Sequence, residues 1–277
     1  MDIKSITESN REAWNQALTY HQKAKNNSLQ SNFANPEFTT FNRVCDDVLI
    51  DKIKKVNISG KAISQIPCNN GKELLSLMRF GAKEAIGFDI SDVAIEEAKQ
   101  LAKISGLNAK FERVDILEIN SKFNEYFDFI YISEGSLQWF PDMNDYFSIV
   151  SKLLKENGKV LIFEIHPFTF FYNIYNSNNQ NFDKTVSYFS KEPLSNKNGV
   201  DYISGVLHNP KECYLFMHKI SDVINALLQN GITIQEFNEY NFEMTNNEAI
   251  KFIEKIPNSY ILIAKKEMKH YARIYKI

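Results

Sequence analysis

The stretch "GAKEAIGFDISDVAIEEAKQLA", residues 81–102, decides the fold. Ala85-Ile86-Gly87-Phe88 is an apolar run of strand length, and it stops at Asp89. Ser91 is a good helix N-cap. Behind it Ala94, Ile95, Ala98, Leu101 and Ala102 recur at helical spacing, giving one apolar face. A buried strand that ends on an acid and turns into an amphipathic helix is one repeat of an alternating α/β chain.

The same alternation runs outward on both sides. Upstream, KAISQIP (61–67) reads as a strand. GKELLSLMRFGA (71–82) reads as a helix with Leu74, Leu75, Leu77 and Met78 toward the core and Gly81 at its C-terminal end. Downstream come strands over 108–116 (NAKFERVDI) and 126–133 (YFDFIYIS). A helix is predicted over 144–157, ending at Gly158, and KVLIFEI (159–165) is a fifth strand. This order implies a parallel sheet with helices on both faces and right-handed crossovers.

The flanks are less regular. Residues 7–25 read as a helix with Ala13, Trp14, Ala17, Leu18 and His21 on one face. Residues 26–40 read as a loop and 41–56 as a second helix. Residues 166–218 are too long for a simple connection and rich in aromatics, so a partly folded insert is expected, with strands near 185–190 and 211–217. A helix over 219–230, a strand over 232–240, a short helix near 246–255 and a strand over 258–266 complete the chain.

The composition bounds the function. The 277 residues are 44% hydrophobic and 24% charged, as in a globular protein with a sizeable core. A net charge of −2 gives no basic field for nucleic acid. Three cysteines without a CxxC pair argue against a disulfide framework and a structural zinc site. The polar start MDIKSITESNREAW and the absence of an apolar run near the ~20 residues of a membrane span suggest a cytoplasmic protein. Nothing in the sequence sets an oligomeric state.

In such sheets, ligands bind at the carboxyl ends of the strands. Pro67-Cys68-Asn69-Asn70-Gly71 forms the first such end. Gly71 allows close backbone approach, and Asn69 or Asn70 tolerates a left-handed φ. Asp89, after the second strand, is placed to accept from ribose hydroxyls. Asp115, in VDI, suits an adenine amine, with Ile90 and Ile116 on either side of the ring. Ser133 and Glu134 follow the fourth strand, and His166 follows the fifth.

This order of loop, acidic strand end, VDI and FDFIYIS resembles class I S-adenosylmethionine-dependent methyltransferases. LLKENGKVLIFE (153–164) is similar to their segment before the fifth strand, and residues 81–102 are similar to their second-strand region. NREAWN (10–15) and HPF (166–168) resemble a small-molecule branch. The resemblance implies a Rossmann-like, seven-stranded doubly wound sheet. An N-terminal helical cap would span 1–60. The methyltransferase domain would span 61–277, with 167–218 as an inserted lid. S-adenosylmethionine would be bound by Pro67, Cys68, Asn69, Asn70, Gly71, Asp89, Ile90, Asp115, Ile116, Ser133 and Glu134, under Trp14. Glu134 and His166 are the candidate bases toward a small-molecule acceptor, and no metal is required. Phe168, Phe170, Phe171, Tyr172, Tyr188 and Tyr202 would cap the acceptor, and Tyr20 or Phe33 would help exclude water.

The departure from the family lies in QIPCNNG (65–71). Where the pattern is acidic-x-Gly-x-Gly-x-Gly, the chain has Gln65, Pro67, Asn69 and Gly71. Only the last glycine is kept, and the acidic contact to the methionine amino group has no residue at Gln65. Two other readings stay open. One is a non-catalytic binding or sensor protein of the same fold. The other is a nicotinamide dehydrogenase, which lacks GxGxxG and a Tyr-x-x-x-Lys dyad here.

Overall fold

The computed structural model describes residues 2–24, 28–41, 46–171, 187–200, 208–241 and 256–268. Helices α1 (Ile3–Ala24), α2 (Ser28–Phe33) and α3 (Asp46–Val56) lead into an alternating core. The core runs β1 (Ala62–Gln65), α4 (Lys72–Met78), β2 (Glu84–Asp89), α5 (Asp92–Ser105), β3 (Ala109–Arg113), β4 (Phe127–Ile132), α6 (Met143–Leu153) and β5 (Leu154–Ile165). Then follow α7 (Phe168–Phe171), β6 (Leu194–Asn196), β7 (Cys213–Leu215), α8 (Ile220–Gln229), β8 (Ile232–Tyr240) and β9 (Ser259–Lys266).

The main sheet has the order β3-β2-β1-β4-β5-β9-β8. Strands β1 to β5 pair in parallel, and β9 pairs antiparallel with both β5 and β8. The strand order reverses between β1 and β4, which places the binding crevice at the ends of those two strands.

Alternation along the central strands builds two cores. Phe129, Tyr131, Leu161, Phe163, Ile261 and Ile263 face α3, α4 and α5. Their neighbours Ile130, Ile132, Val160, Ile162, Leu262 and Ala264 face α6 and α8. A one-residue slip would exchange these faces, so burial on both sides fixes the register.

Local chemistry explains where elements begin and end. Ser91 accepts from Ala94 N and starts α5, and Gly106, at φ +65°, ends it. Two glycines are required by Phe111. A Cβ at Gly87 would lie 2.7 Å from that ring, and one at Gly71 would lie 2.5 Å from it.

Several boundaries differ from the sequence reading. Helix α6 ends at Leu153 rather than near Gly158, because Leu154 is fully buried and already pairs with Phe127 of β4. Lys155 binds Asp128 at 2.9 Å, and Asn157, at φ +62°, makes the bend before Lys159 pairs with Phe129. Residues 28–33 are a short helix within the expected loop, pinned by buried Phe33. The insert's first described strand lies at 194–196, not 185–190. Asn196 pairs there with fully buried Cys213, whereas Phe189 is exposed. The helix expected near 246–255 lies outside the described residues.

The N-terminal sixty residues do not act as one layer. Leu49, Ile53 and Val56 of α3 pack into the core beneath the sheet. Helix α1 instead lies over the strand ends. Asn15 Oδ1 accepts from Ser91 Oγ at 2.7 Å, and Asn15 Nδ2 donates to Asp92 at 3.0 Å. Arg11 also binds Asp92. On its other flank Asn10 exchanges two hydrogen bonds with the backbone of Tyr214 in β7, at 2.7 and 3.0 Å.

Candidate active site

A cavity of about 350 Å³ opens at the carboxyl ends of β1, β2 and β4, roofed by α1. Thr7, Asn10, Trp14, Leu18 and His21 line it from one face of that helix. The floor is built by loops that follow the strands.

The first loop, 67–71, follows β1 through a cis Ile66–Pro67 peptide. Asn69 takes φ +48° and Gly71 φ +72°. Cys68 N donates to Phe88 O at 2.9 Å, which ties the loop to β2. Asn69 N donates to Asp89 Oδ2 at 2.8 Å, and Ser91 N to Asp89 Oδ1 at 2.9 Å. The Asp89 carboxylate therefore braces the loop and also lines the cavity. A carboxylate offers about four acceptor positions, so these two bonds leave capacity for a ligand. Burial pushes the Asp89 carboxyl up to about 6, against the pull of its backbone N–H partners.

Asn70 is buried and lines the same wall. Its Nδ2 donates to Glu97 Oε2 at 3.2 Å, while its Oδ1 has no protein partner. Asp115 Oδ1 accepts from Leu117 N at 3.0 Å, and burial raises its carboxyl. Ile90, Ile116 and Leu117 surround it in the lining.

The second loop, 133–137, follows β4. Glu164 of β5 accepts from Ser136 N and Leu137 N, both at 2.9 Å, from Gly135 N, and from Ile165 N at 2.7 Å. Burial pushes the Glu164 carboxyl up to about 7, and the four N–H groups pull it down. Ser133 and Glu134 line the cavity from this loop, beside Trp139. The rings of Trp14 and Trp139 meet edge to face at 5.3 Å.

The structure thus brings Pro67, Asn69, Asn70, Asp89, Ile90, Asp115, Ile116, Ser133, Glu134 and Trp14 around one cavity. Three expected residues do not line it. The Cys68 side chain turns into the core, where its sulfur fills the space opposite Gly87, and burial pushes its thiol pKa up. Gly71 sits behind the loop, against Phe111. His166 faces away. Ile165 lines the cavity, and one residue further on the chain points to the other side. His166 Nε2 meets Glu239 at 3.0 Å, and its Nδ1 accepts from Phe168 N at 3.1 Å.

Other expected wall residues are elsewhere. Phe33 is in the core against Phe38, and Tyr20 is not in the lining. Tyr188 and Phe168 are not in the lining either, while Val200 of the insert is. The side chains of Phe170, Phe171, Tyr172 and Tyr202 lie outside the described residues.

Sequence reading missed Lys72, Glu73, His21 and the Glu164 brace. Glu164 had a visible signal, a carboxylate inside the apolar run VLIFEI. Lys72 and Glu73 read as ordinary first-turn helix charges.

A doubly wound sheet with an acid-lined cavity at its strand-order reversal defines a protein of Rossmann-like type. The chain belongs to the methyltransferase-domain family, whose model matches residues 59–238. Solved structures share the fold at low identity. A SAM-dependent methyltransferase from Methanosarcina mazei is 18% identical, with TM-score 0.56, covering 79% of this chain and 98% of that one. The magnesium protoporphyrin IX methyltransferase of Synechocystis PCC 6803, with bound S-adenosylhomocysteine, is 15% identical, with TM-score 0.56, covering 94% and 99%. The [4+2]-cyclase SpnF is 13% identical, with TM-score 0.57, covering 91% and 97%. No protein of curated function matches the chain in sequence. The chain thus carries a methyltransferase domain on a fold shared with S-adenosylmethionine-dependent methyltransferases. Among the described residues no helix is long and apolar enough to cross a membrane, and no cluster has metal-ligand geometry.

Proposed function

We propose that this enzyme methylates a small molecule held beneath α1, at the Trp14–Trp139 end of the cavity. The observation that carries the reading is the charge of the lining. Glu73, Asp89, Asp115 and Glu134 face a single lining cation, Lys72, among the described residues. An excess of carboxylates suits a cationic sulfonium cofactor. The buried, unpartnered Asn70 Oδ1 adds an acceptor that a ligand N–H or O–H would satisfy.

When bound, S-adenosylmethionine supplies an activated methyl group on a positively charged sulfur. Asp89 accepts from the ribose hydroxyls, and Asp115 from the adenine amine between Ile90 and Ile116. Asn69, Asn70, Pro67 and Ser133 shape the wall between them. Trp14 and Trp139 exclude water and orient the acceptor, so the chain contributes mainly positioning. Glu134 is the candidate to take a proton from an acceptor that must lose one. His166 holds no such role here, because its ring is engaged behind the cavity. Helix α1 acts as the cap, and the 167–218 insert acts as a lid through Val200 and the β7 contacts to α1. A cavity of this size, closed by a helix, favours a small acceptor over nucleic acid.

The test is an acceptor screen with labelled methyl donor, comparing wild type with Glu134→Gln and Trp139→Ala. Labelled small-molecule products that Trp139→Ala reduces, with S-adenosylhomocysteine binding retained, support the reading. Labelling of protein or RNA alone would contradict it.

A further inference from the structure

Helix α5 carries a carboxylate on its buried face. Glu97 stands there among Ala94, Ile95, Ala98, Leu101 and Ala102 and is 5% exposed. Such a group is costly to bury unless it is hydrogen-bonded. Two neutral amides donate to one of its oxygens. Asn70 Nδ2, from the loop after β1, reaches Glu97 Oε2 at 3.2 Å. Gln22 Nε2, from α1, reaches the same oxygen at 3.2 Å. Glu97 does not line the cavity, whereas Asn70 does. Asn70 is 4% exposed, and its Oδ1 has no partner.

We infer that Glu97 is a positioning residue: it turns the Asn70 amide so that Oδ1 faces the cavity and accepts from the bound ligand. An ionised carboxylate has acceptors only, so it takes the Nδ2 edge of the amide. The Oδ1 edge is left to the cavity, and the wall offers an acceptor rather than a donor. This rests on the proposed placement of the cofactor in this cavity. An amide or hydroxyl at position 97 could accept or donate, and would leave the Asn70 amide free to turn over. An apolar residue would fill the helix face at lower cost, but would leave Nδ2 buried without an acceptor. Gln22 adds its donor to the same oxygen from the roof, so the carboxylate is held between α1 and the loop. One group thereby sets the Asn70 wall and touches the cap.

The test is calorimetry of the full chain with S-adenosylhomocysteine, with denaturant unfolding of each variant alongside. Glu97→Gln keeps the shape but offers a donor as well as an acceptor, and should weaken binding about 10-fold. Asn70→Ala removes the acceptor itself and should also cost about 10-fold. Adding Glu97→Gln to Asn70→Ala should then cost less than about 2-fold, because no amide remains to be oriented. Asn70→Asp sets two carboxylates together and should lose about 10-fold. Combining Asn70→Asp with Glu97→Gln should recover affinity to within about 3-fold of wild type. The introduced amide at position 97 donates to the introduced carboxylate, whose second oxygen faces the cavity. Gln22→Ala leaves the Asn70 bond in place and should lose less than about 3-fold. If Glu97 served only to seat α1, Gln22→Ala would match Glu97→Gln, and Glu97→Gln would cost as much without Asn70 as with it. Either result would overturn the inference, as would wild-type affinity in a folded Glu97→Gln chain. Should Glu97→Gln alone not fold, a paired variant that binds no better than Asn70→Asp would overturn it. A folded wild type that binds no S-adenosylhomocysteine would overturn the cofactor placement, and this inference with it.

Discussion

Loops 67–71 and 133–137 are held by the same device, a buried carboxylate from the neighbouring strand that accepts backbone N–H groups. Asp89 of β2 holds the first, and Glu164 of β5 holds the second. They differ in what is left over. Asp89 accepts from Asn69 N and Ser91 N and also lines the cavity. Glu164 has four backbone partners and lies behind its loop. One brace opens onto the cavity, and the other has its acceptors committed to the fold.

The largest expected effect follows from breaking the committed brace. Glu164→Ala leaves four backbone donors without their acceptor and should cost about 3–5 kcal/mol of stability. Denaturant unfolding measures this, and a loss under 1 kcal/mol would mean the loop finds other acceptors. Asp89→Asn should instead weaken S-adenosylhomocysteine binding by about 2–3 kcal/mol, with a smaller loss of stability. If the two variants gave the same ratio of binding loss to stability loss, the contrast between the braces would be wrong.

The pH dependence sharpens the same contrast. Glu164 has a folded pKa of about 7, above its ordinary 4.5. Between those values the folded chain keeps a proton that the unfolded chain has released. Its contribution to stability is therefore full below about 4.5 and falls as pH rises through about 7. Glu164→Gln should flatten that part of the stability–pH profile. Asp89, pushed up to about 6 by burial, lies in the cavity lining at the proposed ribose contact. The ionised form is the stronger acceptor for the proposed ribose hydroxyls, so affinity should rise with pH through about 6 and then level off. Asp89→Asn should abolish that rise.

The fold was legible because periodicity and strand-end acids are local signals. Asp89 and Asp115 each follow a strand, and that position alone brings them to the carboxyl edge of the sheet. The sequence also showed Ser91 starting α5. It could not show which way a side chain leaves a loop. Cys68 turns inward because Gly87, on the next strand, leaves a space that its sulfur fills. His166 stands one residue past Ile165 and so faces Glu239 and Tyr260 instead of the cavity. Glu73 gains meaning only beside Gln65 and Ser133, a contact between three elements. The end of α6 was misread because the pairing of Leu154 with Phe127 outweighs helical pattern in KENG.

Smaller effects concern the roof. Trp14→Ala removes an aromatic pair and should cost about 0.5–1.5 kcal/mol beyond its lost burial. It should affect acceptor turnover more than S-adenosylhomocysteine affinity. An equal loss of both would move Trp14 from the acceptor end to the cofactor. Arg11→Ala breaks a partly exposed link between α1 and Asp92 and should cost about 0.5 kcal/mol. A cost above 2 kcal/mol would show that α1 depends on that link more than on Asn10 and Asn15.

The most direct measurement is calorimetric titration of the intact chain with S-adenosylhomocysteine and, separately, NAD, in wild type and Asp89→Asn. The structure predicts one S-adenosylhomocysteine per chain, no NAD, and an affinity that drops on loss of the Asp89 carboxylate. A folded Asp89→Asn chain that binds S-adenosylhomocysteine as tightly as wild type would contradict the placement of the cofactor in this cavity.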